Sequence, residues 1–328
     1  MATTGTYTFN TTLYQLVYHA MLNMGKLGEG EGPTAQEITD STFKLNALIK
    51  QWQGTADMAP GLKMWTRRQG HLFMSTLTGQ YQVGFTSSSN WTNSYTSSLL
   101  SANSNSGTNT ITVNSSTGFV NGAQIGIQMV GTYQNGNLFW TTINGTPVGN
   151  VITLTNNLPA NCLVGGIVYT YSTKAQLIVV PETCVLRDMN NEDVPINFFT
   201  VQDYQFFPSK TDPNYISDPV SVYVERNVNF TTLYFDVAGA SDVSKHIVIE
   251  YQEPIQDITN PNDNPEFPQE WIRALEWGLT KEICPMFQSQ WTPAMQSNYT
   301  EALSIARNVD PNRTSMYFQC NADSNQGW

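Results

Sequence analysis

Charge is scarce in this chain. Only 12% of its 328 residues are Asp, Glu, Lys or Arg, about half the usual share, so Ser, Thr, Asn and Gln must cover most of the surface. What charge there is leans acidic, with 26 acidic against 15 basic residues and a formal net charge of −11. Sequence-independent DNA affinity comes from Lys and Arg that release counterions, so tight nucleic-acid binding is not expected. Cysteine is also sparse: Cys162, Cys184, Cys284 and Cys320 are widely spaced, with no C-x-x-C. Reduced thiols of a protein made in a cytosol are the natural reading. No apolar run approaches the roughly 18 residues that cross a bilayer. The opening MATTGTYTFN lacks a basic n-region and an apolar h-region, so neither a membrane span nor a secretory leader is expected.

Catalytic signatures are missing as well. His19, His71 and His246 lie far apart and none has a ligand-spaced neighbour such as H-E-x-x-H. His19 falls inside a helical pattern and is expected at a surface or interface. There is no G-x-S-x-G and no phosphate-binding Gly loop. Asp257, Asp263 and Glu266 form a loose acidic group without the ordered spacing of a Ca²⁺ loop, and a solvated linker accounts for them. Glu182, Asp188, Glu192 and Asp193 are the candidates for a glycosidase pair, which only distance in space can define; surface loops are preferred. Trp65 with Arg67 and Arg68 is read as a Trp covering a layer junction beside exposed arginines, in preference to a binding patch. No catalytic residue, cofactor or metal is expected.

Helical periodicity, by contrast, is plain. In Asn264–Phe287, Trp271, Ala274, Leu275, Gly278, Leu279 and Ile283 recur at the spacing of one helix face. Trp277 falls off that stripe and is a candidate intersubunit contact. Pro268 suits the start of this helix and Pro285 its end. Thr11–Met24 places Leu13, Leu16, Val17, Ala20, Met21 and Met24 at helical spacing, with Gly25 as a stop. Thr34-Ala-Gln-Glu37 has the form of a capping box, opening a helix that carries Ile38, Leu45, Leu48, Ile49 and Trp52 to Gly54. Thr292-Pro293 starts a fourth helix, burying Met295, Tyr299, Ala302 and Ala306. Leu16, Leu45, Leu48, Trp52, Trp271, Leu275 and Leu279 are the predicted helical core.

Between the helices the pattern is that of strands. Thr110–Val113, Gln124–Val130, Leu138–Ile143, Val151–Leu154 and Gly166–Tyr171 are β-branched or aromatic runs punctuated by Gly and Asn, as in a small antiparallel barrel or sandwich. Thr86–Asn109 reads mostly as loop. Ala175–Val180, Val220–Val224, Thr231–Val237 and His246–Tyr251 form a second strand set. The predicted fold is α+β: a discontinuous four-helix domain (1–75 and 256–308) with a large inserted β region (76–255, of which 87–172 is an extra small β domain). An extended C-terminal arm, 309–328, follows. Helical segments that each need a partner, yet stand at opposite ends of the chain, motivate this division.

An ordered series of pieces resembles the head-to-tail connector, or adaptor, proteins of short-tailed bacteriophages. The pieces are LNALIKQWQ (Leu45–Gln53), LTGQYQVG (Leu77–Gly84), DVPINFFTVQDYQFFPSK (Asp193–Lys210), SDPVSVYVERN (Ser217–Asn227), TLYFDV, IVIEYQEPIQD and FPQEWIRALEWGLTKEICPMF. They span about two thirds of the chain; residues 87–172 are an addition to the family's shortest members. The resemblance implies a virion neck or tail protein made in the bacterial cytoplasm. It would form a ring, usually of twelve copies, beneath the portal protein, continuing the DNA channel without specific binding and offering a platform to the tail tube or nozzle and to fibres. It also implies that the C-terminal arm, with Tyr317, Phe318 and Trp328, docks into the portal. The alternative is a carbohydrate-binding or depolymerising tail protein, motivated by Trp91, Tyr133 and Trp140 in the insertion.

Overall fold

Two threonines open the first two helices by the same device. The Thr12 hydroxyl accepts from Gln15 N while the Gln15 side chain accepts from Thr12 N; Thr34 and Glu37 repeat the exchange. Each such cap stabilises a helix by about 1 kcal/mol. The computed structural model describes residues 9–28, 30–54, 64–130, 137–208, 210, 212 and 214–309. Among them are five α-helices: α1 (Leu13–Asn23), α2 (Ala35–Gln53), α3 (Val201–Phe206), α4 (Gln269–Ile283) and α5 (Pro293–Val309). The chain divides into one unit of Met1–Trp65 with Ile255–Trp328 and a second of Thr66–Pro254.

In the first unit α1, α2, α4 and α5 share one core. Leu13, Leu16, Val17, Ala20 and Met21 meet Leu45, Leu48, Ile49 and Trp52, and these meet Trp271, Ala274, Leu275, Leu279, Ile283, Ala302 and Ala306. Full burial of each large apolar side chain is worth roughly 1.5–3 kcal/mol. The segment leading into α4 is tied to the first two helices by polar contacts. Leu13 N and Tyr14 N donate to Asp263 O and Pro261 O, and Asn46 exchanges two hydrogen bonds with the backbone of Ile258, at 2.8 and 3.0 Å.

The second unit is built of sheets. A five-stranded sheet runs in the order β11 (Asp193–Pro195), β10 (Val180–Arg187), β17 (His246–Gln252), β1 (Arg67–Phe73), β3 (Trp91–Thr92). A four-stranded sheet runs β12 (Asn197–Phe199), β14 (Ser221–Arg226), β15 (Thr231–Phe235), β2 (Gln80–Val83). Leu72, Trp91, Ile247 and Tyr251 of the first share a core with Tyr81, Val83, Leu233 and Phe235 of the second. A further four-stranded sheet runs β4 (Thr96–Leu99), β9 (Ile167–Tyr171), β6 (Gln124–Gln128), β7 (Leu138–Thr142), beside the pairs β5 (Thr110–Thr112) with β8 (Val151–Thr153) and β13 (Ile216–Ser217) with β16 (Gly239–Ala240). Residues between Leu100 and Val168 have a core of their own, around Ile111, Ile125, Ile127 and Ile152. Pairing is antiparallel except in β12·β14 and β13·β16. The class is therefore mixed α+β with mostly antiparallel sheets, as its strand and helix patterns predict.

Four details differ from the sequence reading. Arg67–Phe73, placed in the first helical half (1–75), is strand β1, held along its whole length against β17. Strands β3 and β4 lie within the stretch read as loop; TSSL has no hydrophobic alternation, and its place is set by pairing with β9. The strand expected over Ala175–Val180 instead begins at Val180, where pairing with Gln252 of β17 starts, and Pro181 sits at a register shift, a position where a missing N–H costs no ladder bond. Helix α3 interrupts the β region, capped by Thr200 and Asp203; it is too short to show a period.

Candidate functional site

Two of the three histidines come together. In the β1·β17 ladder Phe73 faces His246 and His71 faces Val248, so His71 and His246 are diagonal neighbours on one face of the sheet. Their rings meet with His71 Nδ1 3.3 Å from His246 Nε2. Tyr95 stands edge-on to both, at 4.8 and 5.1 Å between centroids, and Phe73 and Tyr169 complete the cluster. Both histidines are buried. Burial, with the Arg187 charge nearby, pulls the His71 imidazole down to about 4. Burial, His71 and Arg187 together pull His246 down to about 3, against a smaller opposing effect of Asp193. At neutral pH both rings are uncharged, so one donates and the other accepts. An open cleft of about 290 Å³ lies beside them, lined by Tyr95, Ser97, Tyr169, Asp188, Asn191 and His246.

Chemically this pair is poorly suited to acid–base work. A general base serves best with its pKa near the working pH, and these two lie well below neutrality. Among the described residues the His246 Nδ1 has no hydrogen-bond partner, so no carboxylate orients it as a triad would require. The neighbouring Arg187 is taken up by a two-pronged contact with Asp193, at 2.7 and 2.8 Å. The cluster is an apolar junction, in which Phe73 and Val243 share a core with Leu138, Ile167, Tyr169 and Tyr171.

Glu192 and Glu266 are exposed, and the other acidic candidates are each occupied separately. Glu182 pairs with Arg67 at 2.5 Å and Asp193 with Arg187. Asp188 accepts from the backbone of Asn190 and Glu192, which holds its carboxyl below the usual range. A glycosidase acid needs the opposite shift. Asp257 pairs with Lys50 at 2.8 Å, while Asp263 accepts from Thr259 N and Asn260 N. Among the described residues no group of three or more His, Cys, Asp or Glu could hold a metal. Cys162 and Cys184 are buried with thiols pushed up to about 11 and about 12 by burial, so neither is a ready nucleophile.

The remaining predicted residues fall into two groups. Leu16, Leu45, Leu48, Trp52, Trp271, Leu275 and Leu279 are buried in the helical core, and Trp65 packs on Phe267 and Trp271 at 5.3 Å from each. Its indole donates to Glu266 O. Arg68 pairs with Glu253 at 2.8 Å. Trp277 is half-buried against the rim of the same core. Tyr317, Phe318, Trp328 and Tyr133 lie outside the described residues. Two of the three aromatics behind the carbohydrate alternative are packing residues: Trp91 is fully buried with its indole over Gly70, and Trp140 lies over Gly126 beside Phe73 and Tyr171. Trp91 therefore has no open face for a sugar ring, whereas Trp140 is half-buried.

What sequence reasoning missed is the His71–His246 contact. Each histidine lies in an alternating run, but only the strand register sets one beside the other. No described helix is long and apolar enough to cross a membrane. Compared with known proteins, the chain matches no family model and no curated protein.

Proposed function

We propose that this chain is a virion structural protein, a head-to-tail adaptor that forms a ring beneath the portal and carries the DNA channel toward the tail. Its fold is taken as a four-helix domain made from the two ends of the chain, with the β region inserted between them and an arm after Val309. The observation that carries the reading is the shared core of α1, α2, α4 and α5, since it joins helices from the two ends of the chain in one scaffold. The small share of charge and the acidic balance fit a part that touches other proteins and lets DNA pass, because a basic lining would hold phosphates. The protein acts by binding: Glu182, Asp188, Asp193, Asp257 and Asp263 are held in ion pairs or turns, and His71 and His246 are buried in an apolar junction while His19 is exposed on α1.

Electron microscopy of the chain mixed with the portal protein of its own virus tests this. Rings stacked on the portal are the expected result. A chain that stays monomeric and leaves the portal unoccupied removes the proposal.

A further inference from the structure

Among the described residues, the four-stranded sheet β12–β14–β15–β2 ends on two strands that no further strand pairs on the outer side. No described backbone group outside the sheet bonds to residues 198–199 or 81–83, while at the start of β2 the Thr78 hydroxyl accepts from Gln80 N and donates to Gln80 O. A free edge presents a row of N–H and C=O groups to any passing strand, so folded chains blunt unused edges with charge, proline or a covering segment.

The edges of the five-stranded sheet and of the other four-stranded sheet are blunted. Strand β11 carries Asp193, ion-paired with Arg187, and Pro195. Strand β3 is buried. The outer side of β4 is met by the segment after β5, through Ser101 N to Thr112 O and Asn114 N to Leu99 O. That of β7 is met by the segment after β8, through Thr155 N to Thr142 O and Asn144 N to Thr153 O. By contrast Asn197–Phe199 and Gln80–Val83 contain neither charge nor proline. Each is also bordered by exposed apolar side chains: Phe198 and Val201 at one edge, Leu77 and Phe85 at the other.

We propose that copies of this chain join head to tail by pairing the β12 edge of one copy with the β2 edge of the next. The inference rests on the ring reading and names the surface that would build it. A second copy is the occupant because the two bare edges close the same sheet, are of similar length at three and four residues, and are both uncharged. A chain of net charge −11 meets its own kind with least repulsion where neither surface carries charge. One edge of each kind per copy makes the contact heterologous, which closes into a ring when the rotation per copy permits. Pairing would also cover Phe198, Leu77 and Phe85.

The test uses the full chain with Gln82→Lys or Phe198→Lys, each of which puts a charge on one edge at an exposed position. Asn197→Lys replaces the second should Phe198→Lys lower the melting temperature. Sedimentation or mass photometry is expected to show oligomers for the parent chain and monomers for each variant. An equimolar mixture of the two variants should give a species of two chains and nothing larger, because together they hold one intact pair of edges. Parent-sized oligomers in both variants overturn this joint while leaving the ring reading standing on other surfaces. A parent chain that stays monomeric at every concentration and on its portal overturns the ring reading itself.

Discussion

A β-carbon placed on Gly278 of α4 would lie 2.9 Å from Cζ2 of Trp52 and 2.9 Å from Cδ2 of Leu48 on α2. The two helices approach at a point where only a residue without a side chain fits, and Trp52 in turn packs on Trp271 at 5.8 Å. Gly278→Val must push an indole out of a filled core, and overpacking of this kind costs about 1–3 kcal/mol. The variant is expected to unfold at lower temperature or denaturant than the parent; an unchanged thermal melt would show that the interface has room to give.

Gly70 and Trp91 make the corresponding contact in the strand-rich unit. A β-carbon at Gly70 would sit 2.0 Å from the Trp91 ring, so Gly70→Ala should be strongly destabilising although it adds one methyl group. Trp91→Ala removes the obstruction but also a fully buried indole, at a cost of about 3–5 kcal/mol. The double variant is expected to be no less stable than Trp91→Ala alone, since the methyl then has space. Urea unfolding of the two single variants and the double variant measures the coupling, and additive effects would contradict the contact.

The histidine pair predicts a dependence on pH. Both folded-state values, about 4 for His71 and about 3 for His246, lie below the unfolded value near 6.5. Between these limits the unfolded chain binds more protons, so stability rises with pH. The contribution is fully present above about pH 6.5 and is lost as pH falls toward the folded-state values. Replacing both residues, His71→Gln with His246→Gln, should flatten the stability profile between pH 6.5 and 4. Denaturant unfolding at several pH values reads this, and an unaltered slope in the double variant would place the acid sensitivity elsewhere.

Deleting residues 310–328 should leave the helical core intact. The buried stripe of α5 ends with Ala306, and Val309 is exposed. The truncated chain is expected to melt with the parent but to lose portal docking. Docking that survives the deletion would refute the arm assignment, and a large drop in melting temperature would show that the tail stabilises the core.

Where the chain's structure depends on near neighbours, its residues announce it. The Thr34–Glu37 and Thr12–Gln15 caps, the stop at Gly25 with its φ of 72°, and the stripe from Trp271 to Ile283 are all settled within a few positions. Their energies come from a hydroxyl three residues from an amide, or from one face of a 3.6-residue repeat. The mixed class and the predominance of antiparallel strands follow from the same local patterns.

Other features depend on partners far along the chain. The bounds and partner of strand β1 are set by β17; β4 and the start of β10 are set the same way by β9 and β17. The nearness of His71 to His246 depends on register, and a slip of one residue would put the two rings on opposite faces. The two bare edges are equally a property of sheet order, which no periodicity carries. Helical signals are short-range and so can be read along the chain, whereas strand pairing, burial of a titratable ring and the exposure of an edge arise from contacts between distant segments and exist only once the chain has folded.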